Sequence, residues 1–178
     1  MMETIPQAIC GIAVETEFLN REGYVVSGAR DSASTTNRTS NKVGDVSVEH
    51  AAEGLMRVYE ITVKEFGIQR INEAVQSLGM FFEKGIPTGM IVHVLCRPDD
   101  IPAEAERSLQ NPVIAELERE GVLFQFIDLH AWLAVKIAEF DLNQRAHFFT
   151  EVQKFLNTGK NGRIPGTERQ AWAAGFTG

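Results

Sequence analysis

Residues 42–64 read KVGDVSVEHAAEGLMRVYEITVK, and this stretch decides the fold. It predicts two short strands joined by a turn at His50 to Gly54, with Asp45 starting the first strand and Glu60 and Lys64 on the second. Aspartate and glutamate are poor strand formers, so acids set among β-branched residues ask for a reason. Alternation along VYEITVK puts Glu60, Thr62 and Lys64 on one face and Tyr59, Ile61 and Val63 on the other. The result is a line of polar groups on one side of a sheet. A half-exposed sheet produces the same alternation without any function.

Upstream, Ile5 to Glu22 predicts a helix, with Pro6 in its first turn and Gly23 just past its end. Its apolar residues, among them Ile9, Ile12, Ala13, Val14, Phe18 and Leu19, lie nearly all round, so it is largely buried. Glu15 and Glu17 interrupt it. A carboxylate on a buried helix needs a partner, a metal or a wet cleft, unless it lies on the narrow exposed side. GYVVSG, Gly23 to Gly28, is a strand. Ala29 to Lys42 then carries Arg30, Ser34, Asn37, Arg38 and Lys42, with no apolar residue beyond two alanines. So long a polar loop within a domain is functional or disordered. Its hydroxyl, amide and guanidinium groups are of the kind that meet phosphates and base edges, with Asn37 and Arg38 of the types that read adenine and guanine.

Downstream, Gly67 to Glu83 has helical spacing, and Met90 to Cys96 is a continuous apolar run of the kind buried on both faces of a sheet. Ala103 to Glu120 predicts a helix broken or kinked at Pro112. Val122 to Asp128 is a last strand, and His130 to Leu156 one long helix. Helical crossovers imply parallel pairing of the later strands. The expected fold is α/β, a mixed central sheet flanked by helices in the order αβββαβ, over residues 1–156, with a flexible tail over 157–178 that Trp172 and Phe176 would dock.

The chain has 178 residues, 44 % of them hydrophobic, enough for one domain with a real core. A net charge of −7 argues against a surface coated in basic groups, though not against a local patch. Cys10 and Cys96 sit in apolar runs and read as buried thiols of a reducing, cytoplasmic compartment. No apolar run approaches a membrane span, and no signal peptide is recognisable. His50, His93, His130 and His147 do not pair at metal-ligand spacing, and His93 reads as a satisfied core histidine. Trp132 reads as a packing residue. There is no phosphate loop of the Walker type, and Ser27 lacks a nucleophile elbow.

An acid-bearing helix, the strand GYVV, the strand opening GDV, the strand YEITVK, a helix and an apolar strand follow one another in this order. Together they resemble the PD-(D/E)XK nuclease superfamily, the fold of type II restriction endonucleases and junction resolvases, over about Ile9 to Cys96. The individual motifs are short, and the order and placement carry the resemblance. It implies a metal-dependent endodeoxyribonuclease acting on double-stranded DNA, with Mg2+ (or Mn2+ in its place) held by Asp45, Glu60 and the backbone carbonyl of Ile61. Glu15 is the better match to the helix-borne acid of some members, and Glu17 the fallback. The pattern departs at two places. Gly44 stands where a proline is usual, and Thr62 where the lysine is. Lys64 lies roughly 6–7 Å further along a strand, within partial reach of its long stem. Either the lysine has migrated to Lys64, with Thr62 holding a water, or the chain is a weakened or inactive DNA-binding module. A junction-resolving nuclease is a further alternative. The partners implied are duplex DNA and either a second copy of the chain or the remainder of a longer nuclease.

Overall fold

The computed structural model describes residues 4–29, 43–109 and 112–158. Helix α1 (Thr4–Glu17) leads into β1 (Tyr24–Ser27), β2 (Val46–His50) and β3 (Gly54–Ile61). Then come α2 (Ile68–Phe81), β4 (Met90–Cys96), a short 3-10 turn (Pro98–Asp100), β5 (Glu106–Arg107), β6 (Val113–Arg119) and β7 (Val122–Asp128). Helices α3 (Leu129–Glu139) and α4 (Leu142–Thr158) finish the described chain. The strands form one seven-stranded mixed sheet in the order β1-β2-β3-β4-β7-β6-β5. β1, β2 and β3 pair antiparallel as a meander, while β3, β4 and β7 pair parallel.

The sheet is buried on both faces, each over its own core. Tyr59, Ile61, Val46, Val48, Leu95 and Ile127 face α1, α3 and α4. Val58, Val92, Val94, Phe124 and Phe126 face α2 through Ile71, Ala74, Val75 and Leu78. Cys10 lies in the first core and Cys96 in the second, so the sheet separates them. Burial pushes both thiols up to about 12, which keeps them neutral.

The α/β architecture and the first six elements match the expected order, and three stretches differ from expectation. Ala103 to Glu120 is not a helix. It holds β5 and β6, and β6 joins β7 through Glu120 and Gly121, with φ of 51° and 79°. Two consecutive residues with positive φ make the type I′ hairpin turn that suits the twist of antiparallel strands. Arg119 pairs with Val122 across that turn, and the Glu116 side chain accepts a 2.8 Å hydrogen bond from Gln125 on the neighbouring strand. The parallel approach of β7 to β4 is therefore reached through a hairpin rather than a helical crossover. The expected long helix of residues 130–156 is two helices. Phe140 is extended, and Asp141 restarts the chain: its carboxylate accepts from the Gln144 N–H at 2.8 Å while the Gln144 side chain accepts from the Asp141 N–H at 3.1 Å. That is a reciprocal capping box. Asp128, read as a strand end, also caps α3 by accepting from the Ala131 N–H. Finally, α1 ends at Glu17 rather than Glu22. Residues 159–178, with Trp172 and Phe176, lie outside the described residues. No helix among the described residues is long and apolar enough to cross a membrane.

Gly11 sets how closely α1 lies on the sheet. A Cβ there would stand 2.4 Å from the backbone oxygen of Ala29 and 2.7 Å from its Cα. Backbone cannot yield as a flexible side chain can. Alanine favours helix over glycine by about 1 kcal/mol, whereas forced overpacking costs about 1–3 kcal/mol. Gly11→Ala is therefore expected to lower the midpoint of chemical denaturation despite its better helix propensity; an unchanged or raised midpoint would refute this account of α1 packing.

Candidate functional site

The two acids singled out in the sequence lie on neighbouring strands, Asp45 just before β2 and Glu60 near the end of β3. Gly44 makes this possible. Its φ is +69°, and a Cβ would stand 2.6 Å from Val58 Cγ1 and 2.8 Å from the Tyr59 oxygen. Proline, locked near φ −65°, cannot take this conformation, so the departure from the family pattern at Gly44 follows from the backbone itself. Past Gly44, the Asp45 N–H donates to the Tyr59 carbonyl at 2.9 Å, and Asp45 Oδ2 accepts from the Ile61 N–H at 2.8 Å. These two bonds fasten Asp45 on either side of Glu60. The carboxylate stands in the ladder where a β2 carbonyl would otherwise be, satisfying a donor at a buried strand end. Within an extended strand, a residue's N–H and C=O point the same way. Since the Ile61 N–H meets Asp45, the Ile61 carbonyl turns to the same edge.

Glu60 shares the α2 face with Val58 and, across the parallel register, lies beside Val94. It is buried. A carboxylate in such surroundings must be partnered, and Arg70 Nη2 stands 3.9 Å from its Oε2. Arg70 Nη1 donates to Thr62 Oγ1 at 2.8 Å, and the guanidinium lies over the ring of buried Phe66, 4.6 Å from its centroid.

Lys64 is not on β3, which ends at Ile61. Thr62 continues the sheet by donating its N–H to the Leu95 carbonyl at 2.9 Å. The chain then turns: Thr62 Oγ1 accepts from the Lys64 N–H at 3.1 Å and donates to the Lys64 carbonyl at 2.8 Å. A threonine hydroxyl closing on the backbone two residues ahead competes with strand continuation. The strand-repeat distance between Thr62 and Lys64 therefore does not apply, and Lys64 is exposed on the turn. Arg97, at the end of β4, holds this turn from the side. It donates to the Val63 carbonyl at 2.6 Å and forms a two-pronged pair with buried Asp100 at 2.7 and 3.0 Å. The Asp100 carbonyl in turn accepts from the Phe66 N–H at 3.1 Å. Residues 62–66 are thus pinned at several points.

On α1 the side chain joined to Asp45 is Gln7, whose amide donates to Oδ1 at 3.4 Å. Glu15 lies eight residues further along the helix, about 12 Å of axial rise. Glu17 turns to the other face of the sheet. Its Oε1 accepts from Arg57 at 2.7 Å, and Lys136 of α3 stands 3.0 Å from Oε2 as an ion pair without hydrogen-bond alignment. Burial alone would raise the Glu17 pKa, and the two cations outweigh it, so the carboxyl titrates below its ordinary value. That engagement removes Glu17 as the fallback acid beside Asp45. His93 stacks on Tyr59 in this second cluster, with ring centroids 5.3 Å apart. Contrary to the expectation of a satisfied core histidine, its buried Nδ1 has no hydrogen-bond partner among the described residues. Burial, reinforced by repulsion from Arg57 and Lys136, lowers its pKa to about 4. Trp132 packs edge-on against Tyr59, as a packing residue should.

Asp45 is therefore bonded to the Ile61 backbone, Arg70 stands beside both Glu60 and Thr62, and the Thr62 hydroxyl meets the Lys64 backbone. Arg70 and Gln7 were missed from the sequence. Arg70 had a legible signal, since a cation in the first turn of a helix opposes the helix dipole and asks for a partner. Gln7 had a weaker one, an amide on a helix otherwise apolar nearly all round. The expected DNA-contacting residues Arg30, Ser34, Asn37, Arg38 and Lys42 lie outside the described residues. Among the described residues no group of three or more His, Cys, Asp or Glu side chains is arranged to hold a metal ion. Magnesium does not need one. It is commonly held by one or two carboxylates, with water and substrate oxygens completing six positions, and its ligating carboxylates are usually hydrogen-bonded in turn. Two carboxylates and a carbonyl are hard oxygen donors that fit it.

His93 gives this region a pH signature. Its folded pKa is depressed from 6.5 to about 4. Between these values the unfolded chain binds the proton and the folded chain does not, so stability rises with pH through this window and is lost as pH falls through it. The contribution is up to about 3 kcal/mol at 1.36 kcal/mol per pK unit. His93→Phe, which keeps the ring stack, should flatten the stability curve between pH 4 and 6.5; an unaltered slope in urea titrations would exclude a neutral buried His93. No protein-family model matches this sequence, and no curated protein matches it either.

Proposed function

We propose that this chain is a metal-dependent endodeoxyribonuclease that adds water across a phosphodiester P–O bond of duplex DNA, leaving a phosphomonoester and a hydroxyl. The observation that carries this reading is the pair of bonds by which Asp45 meets the two backbone neighbours of the second acid, Glu60: Tyr59 through its N–H and Ile61 through its carboxylate. Asp45, Glu60 and the Ile61 carbonyl would hold Mg2+. The ion supplies an activated water and neutralises charge on the phosphate oxygens when bound. The protein's own part is to hold Asp45 against the backbone that flanks Glu60, through Gly44 and the bonds to Tyr59 and Ile61, and to hold the 62–66 turn in place. The segment 30–42 re-enters the described chain at Val43, two residues before Asp45, which suits DNA contacts there. A second copy of the chain would allow both strands to be cut.

A non-cutting DNA-binding module is the second reading. It is favoured by Thr62 standing where the resemblance implies a lysine, and by an arginine lying against the Glu60 carboxylate, where it would oppose a metal cation.

Asp45→Asn separates the two. The amide oxygen can still accept from the Ile61 N–H, so the fold should persist, while the negative charge is gone. Wild-type protein should cut supercoiled plasmid in Mg2+ and be stopped by a chelator. Asp45→Asn should lose at least about 100-fold in rate, and millimolar Mg2+ should raise the thermal midpoint of the wild type and not of the variant. Cleavage that survives in Asp45→Asn would overturn the nuclease assignment. DNA binding without cleavage in Mg2+ or Mn2+ would select the second reading.

A further inference from the structure

The site holds a cation that the motif resemblance does not point to. Arg70 reaches from the first turn of α2 to the gap between Glu60 and Thr62. Three features of its setting bear on what it does. The guanidinium lies on the face of Phe66, a side chain 1 % exposed and therefore immobile. Its single hydrogen bond among the described residues goes to a neutral hydroxyl, Thr62 Oγ1. It stands 3.9 Å from the Glu60 carboxylate rather than at the 2.7–2.9 Å of a closed two-pronged pair. A guanidinium serving only as counter-ion to Glu60 would close that fork, as Arg97 does on Asp100 at 2.7 and 3.0 Å. Arg70 instead keeps most of its five N–H donors uncommitted within the described residues, and its side chain is 38 % exposed. Aromatic stacking and one hydrogen bond hold a permanently charged planar donor beside Glu60 and Thr62.

We propose that Arg70 is the phosphate ligand of this site, donating to non-bridging oxygens of the DNA phosphodiester held against Asp45 and Glu60. It would supply from α2 the positive charge that the family pattern places at the Thr62 position. Thr62 becomes a positioning residue, its hydroxyl aiming Nη1. The inference rests on the nuclease reading for its substrate. An arginine stays protonated at every working pH, so this role is electrostatic and excludes proton transfer by Arg70.

The test compares Arg70→Gln and Arg70→Lys with wild type in two assays: plasmid cleavage in Mg2+, and equilibrium binding of a short duplex in chelator across a salt series. Losing one phosphate contact should reduce the slope of log affinity against log salt by about one. Losing a preorganised donor to the reacting phosphate should lower kcat by about 10²–10³-fold. Arg70→Gln is expected to show both. Arg70→Lys keeps the charge and loses the planar fork, so its salt slope should stay near wild type while kcat falls at least about 10-fold. If Arg70→Gln does not fold, Arg70→Lys carries the test alone, because a mere counter-ion to Glu60 would leave its kcat intact. Wild-type cleavage with unchanged kcat and slope in both variants would overturn the role of Arg70 and leave the nuclease reading standing. DNA binding without cleavage, with the slope reduced by about one in Arg70→Gln, would support Arg70 as a phosphate ligand while the nuclease reading fails. Absence of both binding and cleavage in the wild type would overturn both.

Discussion

The hydrogen bond from the Ile61 N–H to Asp45 Oδ2 is the contact on which this end of the molecule depends. Ile61 is buried, and an unmet backbone donor there would cost about 1–3 kcal/mol. The chain meets it with a side chain rather than a carbonyl because Gly44 turns the backbone through a left-handed conformation just before Asp45. One interaction therefore completes the sheet and orients a carboxylate. The same bond limits the freedom of Asp45, whose other oxygen accepts from the Gln7 amide of α1. A residue asked to do both is hard to change without disturbing the strand end as well as the chemistry.

The two faces of the sheet handle buried charge differently. Beside α1 and α3, Glu17 pairs with both Arg57 and Lys136, and His93 is kept neutral by burial and by those cations. That cluster ties α1, β3 and α3 together. Beside α2, Glu60 has Arg70 at a longer distance, with the guanidinium shared with Thr62 and half open to solvent. On this side Arg70 is held between an acid and a hydroxyl rather than inside a closed two-pronged pair.

The turn after β3 owes its shape to neighbours distant in sequence. Thr62 closes locally on Lys64, but Leu95, Arg97 and Asp100 hold it from β4 and the turn that follows. Lysine at position 64 is thereby taken off the strand. The polar face read from strict alternation is real as far as Glu60 and Thr62 and ends there, because the Thr62 hydroxyl closes on the Lys64 backbone in place of one more residue of strand.

Read alone, the sequence determined the α/β class, the meander around Asp45 and Glu60, the buried strand β4 and the inward faces of α1 and α2, since periodicity of burial is written locally. Some of what was misread was also local: the Glu120–Gly121 turn and the Asp141–Gln144 capping box are short signals that high helix propensity around them hid. What only the tertiary structure decided is which side chains meet. Gln7 lies 38 residues from Asp45, Arg57 lies 40 from Glu17, and Arg97 lies 34 from Val63. Arg70 is close to Thr62 in sequence, yet its reach depends on the angle at which α2 leaves the sheet over Phe66. A pattern of residues states what each element can bury; the partner of a buried charge is set by where the elements cross, and that is a property of the packed core.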